Sequence, residues 1–120
     1  MNAMISLDMK KRRIRIHKQT LNMMNNPEYI YIWVNPNDKA IAICSCEKSN
    51  KDALKVQNKR ECEIYSTSLF EELKSLNVGL IEDCTYRLTG IVSQGKKVAR
   101  FNIMESLDLN SSAMRKEQYE

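Results

Sequence analysis

The phrase "IRIHKQTL" at residues 14–21 returns as "CEIYSTSL" at residues 62–69, an offset of 48. Each copy opens with apolar residues two apart, Ile14 and Ile16 or Cys62 and Ile64, the period of a strand with one buried face. Each then passes a hydroxyl residue, Thr20 or Ser68, and reaches a leucine, Leu21 or Leu69, as a capped helix start does. A second match lies downstream. "YIYIWV" (29–34), "NPND" and "KAIAICSC" (39–46) read as a hairpin, and so do "TYRLTGIV" (85–92), "SQGK" and "KVARFNI" (97–103). These two align at an offset of 58, with Val34 on Val92, Lys39 on Lys97 and Ile43 on Phe101. The change of offset places ten extra residues between helix start and hairpin in the second half. The expected fold is therefore α+β: two βαββ repeats forming a mostly antiparallel small barrel or sheet with short helices. The 120 residues suit one domain. Its halves span about 12–46 and 61–103, with a basic connector at 47–60 and a polar tail at 104–120 that includes a possible short helix.

Local signals refine this outline. Asn25, Asn26 and Pro27 end the first helix. In the second, Leu69, Leu73 and Leu76 form one apolar stripe, Glu71 and Glu72 fall in the first turn, and Gly79 lies where a C-cap belongs. Pro36 suits the second position of a turn, and Asn37 and Gly95 suit left-handed positions. Residues 1–3 are set outside the fold, and 4–11 read as a poorly patterned lead-in. Residues 52–58 fit a short helix or a short strand equally.

Several function classes lack their residues. The four cysteines, Cys44, Cys46, Cys62 and Cys84, have only one close pair, and its C-x-C spacing is not that of common metal sites. His17 is the one histidine, so the cysteines read as buried thiols and no metal is expected. Nothing in the sequence pairs a nucleophile with His17, and Glu71/Glu72 and Glu82/Asp83 are adjacent pairs that do not face one another on a helix. Three glycines make no phosphate-cradling run. No catalytic residue, cofactor or small-molecule substrate is expected. No apolar run approaches a membrane span, no leader is read, and a cytoplasmic location with reduced thiols is expected.

Charge is uneven. Residues 1–60 carry twelve Lys/Arg against five Asp/Glu, and residues 61–120 carry seven against ten, within a net charge of +4. The densest cluster is "KKRRIRIHK", with Lys10, Lys11, Arg12, Arg13, Arg15 and Lys18. On a strand, Arg13 and Arg15 project together, opposite Ile14 and Ile16. Such a stripe suits phosphates, whose neutralisation releases counterions, and also suits a solvated edge that discourages aggregation. Tyr29, Tyr31 and Trp33 share one face of their strand, and Ile30, Ile32 and Val34 share the other. A strand apolar on both faces belongs in a core or at a subunit interface, while aromatics on an open sheet act as stacking platforms.

"RRIRIHKQTLNMM" followed by "EYIYIWVNPNDKAIAIC" resembles the entry strand, helix and hairpin of the AbrB/MraZ-like swapped-hairpin barrel proteins. The resemblance covers 12–46 and, more loosely, 61–103. It departs from the family pattern where His17 and Tyr65 replace the usual Pro, and where Pro27-Glu28 and Cys84-Thr85 replace Gly-Asp. The resemblance implies DNA binding and oligomerisation, with Arg12, Arg13, Arg15 and Lys18 in the DNA-contacting strand region. The expected function is a cytoplasmic transcriptional regulator, a homodimer, that binds double-stranded DNA through Lys10–Lys18. The competing expectation is a non-enzymatic protein-interaction or assembly module whose interface is Tyr29, Tyr31 and Trp33.

Overall fold

Alternation begins nearer the N-terminus than residues 4–11 had suggested. The computed structural model describes residues 2–56 and 61–107, and its first strand, β1 (Ala3–Asp8), buries Ala3, Ile5 and Leu7 completely. This corrects the reading of 1–3 as outside the fold and of 4–11 as a lead-in. The outward position of Met4 blurs the apolar contrast that marks an amphipathic strand. A turn through Lys10 and Lys11 leads to β2 (Arg13–His17), and Arg12 takes the left-handed conformation there with φ of 52°.

The chain continues through α1 (Lys18–Met23), β3 (Tyr29–Asn35), β4 (Ala40–Ser45), β5 (Leu54–Lys55), β6 (Glu61–Tyr65), α2 (Thr67–Ser75), β7 (Thr85–Val92), β8 (Val98–Asn102) and a helical turn, α3 (103–107). The strands form one antiparallel eight-stranded sheet in the order β5-β3-β4-β8-β7-β1-β2-β6, curled into a half-barrel. An α+β small barrel is thus the architecture. Both expected hairpins are present, and within the basic connector Leu54 and Lys55 form a strand. The expectations for 57–60, and for the tail beyond 107, lie outside the described residues.

Two pairings join like-placed strands of the halves. The β2–β6 register includes Arg15↔Glu63, and the β4–β8 register includes Ala42↔Arg100. These partners are 48 and 58 apart, the two offsets of the sequence match. Each of β1 and β5 precedes the entry strand of its own half and adds to the hairpin of the other, β1 to β7 and β5 to β3. The core lies on the concave side, where Ile5, Leu7, Ile14, Ile16, Ile43, Leu88 and Phe101 meet Leu21, Phe70 and Leu73 from the helices.

Helix starts differ from the sequence reading. Thr20 is inside α1 and caps nothing. It is fully buried, and its hydroxyl accepts from the Met4 N–H and donates to the Met4 carbonyl, both at 2.7 Å. In α2 the cap is Ser66 rather than Ser68, with Oγ accepting from the Leu69 N–H at 3.2 Å, so Glu71 and Glu72 fall beyond the first turn. Asn25 and Asn26 end α1 with φ of 61° and 51°. In the hairpin turns the left-handed residues are Lys39 and Lys96, not Asn37 and Gly95. After α2 the first left-handed residue is Asn77, two positions before Gly79, which also has positive φ. The Asn35 side chain shapes its turn by accepting from the N–H groups of Asn37 and Asp38.

Candidate nucleic-acid interface

Alternation turns Arg13, Arg15 and His17 of β2 to the convex face of the sheet, opposite Ile14 and Ile16, which are fully buried. The six cations of the basic run do not form one patch. Lys10 and Lys11 are exposed at the β1–β2 turn, while Lys18 is exposed at the other end of β2, where α1 begins. Arg13 and Arg15 lie between them, and both meet acids. Arg13 pairs with Asp8 at 3.4 Å and Glu63 at 3.7 Å, and Arg15 pairs with Glu63 at 3.2 Å. A hydrogen bond with the Tyr65 side chain, its largest upward influence, together with Glu63 and Asp8, raises the pKa of Arg13 above its ordinary value against the opposing effect of burial. The Arg13 side chain is 18% exposed and serves the sheet as well as its surface. His17 Nε2 lies 2.8 Å from Ser6 Oγ.

Strand order brings in cations that sequence reasoning missed. One transverse row runs Glu63–Arg15–Ser6–Arg87 across β6, β2, β1 and β7. Another runs Ile91–Arg100–Ala42–Trp33 across β7, β8, β4 and β3. Arg87 and Arg100 are exposed, at outward positions of alternating strands. That alternation was readable in "TYRLTGIV" and "VARFN", but their nearness to β2 follows only from the long-range order of strands.

The aromatic strand also differs from a buried core strand. Ile30 and Val34 are buried on the concave side, whereas Trp33 is 54% exposed on the convex side and Tyr29 and Tyr31 are half-buried there. A hydrogen bond with the Cys44 side chain, then the neighbouring thiol and partial burial, raise the Tyr31 hydroxyl above its ordinary pKa. All four cysteines are free, and no cluster of three metal-ligating side chains occurs among the described residues.

Two hollows border these features. One of about 390 Å³ lies beside Arg100, lined by Thr89, Gly90, Ile91 and Asn102. The other, about 400 Å³, opens between the β3 edge and β6–α2, and its lining mixes Trp33, Ile32, Ile64 and Leu69 with Ser66 and Glu72. Among the described residues, no helix is long and apolar enough to cross a membrane. The chain matches no protein-family model, no curated protein and no solved structure.

Proposed function

We propose that this protein is a cytoplasmic DNA-binding regulator that holds duplex phosphates on the convex face of its half-barrel. The observation that carries this reading is the convergence of Arg15, Arg87 and Arg100 from three separate strands onto one face, beside the exposed Lys10 and Lys11 of the adjoining turn. Cations spread over a sheet face neutralise a line of phosphates, and the released counterions drive association. The ion pairs with Glu63 and Asp38 do not block this role, because partly exposed pairs are weak and phosphate competes for the same guanidinium. The regulatory role follows from the resemblance to AbrB/MraZ-like proteins.

The same reading takes the two halves as repeats related by an approximate two-fold axis. Its support is that both joining strand pairs include residues matched by the sequence offsets, and that β1 and β5 cross between halves in the same way. It also takes the protein as a homodimer, since Trp33 and Leu54 leave exposed apolar area at the β3–β6 hollow. Titration of duplex DNA at two salt concentrations tests the reading. Saturable binding that weakens as salt rises is expected, and no binding at low salt contradicts it.

A protein-interaction module is the second reading, and the hollow between β3 and β6 favours it. Beyond Tyr29 and Ile30, where β5 pairs, β3 has no registered neighbour on that side among the described strands. An open edge beside a hollow of mixed polar and apolar lining accepts an added strand. A chain mass above the monomer that persists when DNA binding is absent supports this second reading.

A further inference from the structure

The edge of β3 turns particular backbone groups toward the hollow of about 400 Å³. The Glu28 carbonyl accepts from the Val56 N–H on the β5 side, and the Tyr29 carbonyl accepts from the Cys46 N–H on the β4 side. These groups alternate along a strand, so Ile32 and Val34 point their N–H and C=O groups at the hollow. Among the described residues no strand pairs with them there, since β5 begins at Leu54, opposite Ile30. Upstream of Leu54 the chain turns aside, with the Ala53 N–H donating to the Asn50 carbonyl and the Asp52 N–H to Asn50 Oδ1. β7 shows such an edge when it is covered. Thr89 and Gly90, 58 positions after Tyr31 and Ile32, lie beside Met4 and Ala3 of the antiparallel strand β1.

Strand direction and lining chemistry narrow the occupant. Six antiparallel pairings separate β3 from β6, so these two walls of the hollow point the same way. A strand that continues the line of β5 is therefore antiparallel to both. Ile32, Ile64 and Leu69 give the hollow apolar surface, and Asp52 and Glu72 give it two carboxylates, with no Lys or Arg among the described lining residues. Neither carboxylate joins an ion pair among the described residues. We propose that the β3–β6 hollow binds an extended basic peptide, added to β3 as an antiparallel strand and alternating apolar residues with Lys or Arg. This partner rests on the second reading, the protein-interaction module, and gives it a chemistry. Main-chain hydrogen bonds to Ile32 and Val34 supply affinity, and side-chain contacts supply specificity. Basic residues are favoured because they compensate two carboxylates that have no cation beside them. The same carboxylates repel phosphate, which separates this hollow from the cationic face. A second copy that meets the hollow by two-fold symmetry brings its own Asp52 and Glu72 to it, so the basic peptide displaces that copy.

The full chain is titrated with two labelled peptides of about eight residues, one alternating Val with Lys and the other Val with Glu, and binding is followed by fluorescence anisotropy. A third peptide repeats the Lys sequence with its backbone nitrogens methylated, which removes the donors that an added strand uses. Saturable binding of the unmethylated Lys peptide alone is expected. Glu72 is exposed on α2, so Glu72→Lys keeps the unfolding midpoint, weakens the Lys peptide about fivefold and lets the Glu peptide bind. Equal binding of the methylated peptide overturns strand addition. Equal binding of the Glu peptide to the parent chain overturns the basic partner. If no peptide binds and the chain mass stays above the monomer, the edge belongs to a second copy, and this partner falls while the second reading stands. If no peptide binds and the mass is that of a monomer, the partner and the second reading fall together.

Discussion

β1 and β5 each pair with the first strand of a hairpin, β7 or β3, and differ in length by four residues. β1 pairs with β7 along all six residues and with β2 on its other side, and Ile5 lies opposite Leu88. β5 pairs only with Tyr29 and Ile30 of β3, where Leu54 lies opposite Ile30. Leu88 and Ile30 are 58 apart, the hairpin offset, so Ile5 and Leu54 face matched partners. Yet Ile5 is fully buried and Leu54 is 37% exposed. A full strand closes one side of the half-barrel, and a two-residue strand leaves the other side open beside the β3–β6 hollow. A six-residue ladder thus gives a buried seam and a two-residue ladder an accessible one.

The largest expected break lies on the closed side, at Gly90, which faces Ala3. A Cβ there meets the Arg100 carbonyl at 2.2 Å and the Phe101 ring at 2.6 Å. Backbone cannot give way as a flexible side chain does, so Gly90→Ala should cost about 3 kcal/mol or more in a denaturant titration. A cost under about 1 kcal/mol would show that the β7–β8 pair is loosely packed at Gly90.

Next comes the matched pair. Ile5→Ala should cost about 2–5 kcal/mol through lost burial and a cavity. Leu54→Ala should cost under about 1 kcal/mol. Equal costs measured by chemical denaturation would mean that both seams are packed alike.

A smaller effect is expected at Thr20, which ties α1 to β1. Thr20→Val keeps the shape but leaves the Met4 N–H and carbonyl without their hydroxyl partner, at about 1–3 kcal/mol. Thermal unfolding reads this, with an unchanged midpoint as the contrary result.

The smallest concerns an exposed ion pair. The Lys74 ammonium, hydrogen-bonded to Glu82, holds that carboxylate below its ordinary pKa, with Arg12 adding to the effect. A depressed folded-state pKa gives stability that is present above the unfolded pKa and lost as pH falls through the folded one. Lys74→Met should move the Glu82 titration upward in an NMR pH series, and an unmoved curve would place the cause elsewhere.

Elements governed by local alternation were legible in the sequence: β2, both hairpins and the Leu69–Leu73–Leu76 stripe follow the pattern of their own residues. β1 escaped because Met4 stands among its outward residues, and β5 because two residues carry no period. Thr20 resembles a cap in sequence, and only the neighbouring β1 backbone reveals its use. For the candidate interface, the Lys10–Lys18 run was legible as charge, but its ion pairs were not, since Glu63 lies 48 residues from Arg15. Arg87 and Arg100 look like ordinary surface residues until the order β8-β7-β1-β2 aligns their strands with the basic one. The structure shows that Arg13 also holds Asp8, so its loss disturbs the β1–β2 pair as well as the surface.

The central claim is that cations from separate strands act together on one face, and a salt-dependent duplex titration of a surface variant tests it most directly. Lys10→Ala, Lys11→Ala, Arg15→Ala and Arg87→Ala are combined, with Arg13 left in place to keep its contact with Asp8. The slope of log affinity against log salt should fall by about 0.9 for each phosphate contact removed, up to about 3–4 in all, while the unfolding midpoint stays near that of the parent chain. A folded variant whose affinity and salt slope equal those of the parent would contradict the account.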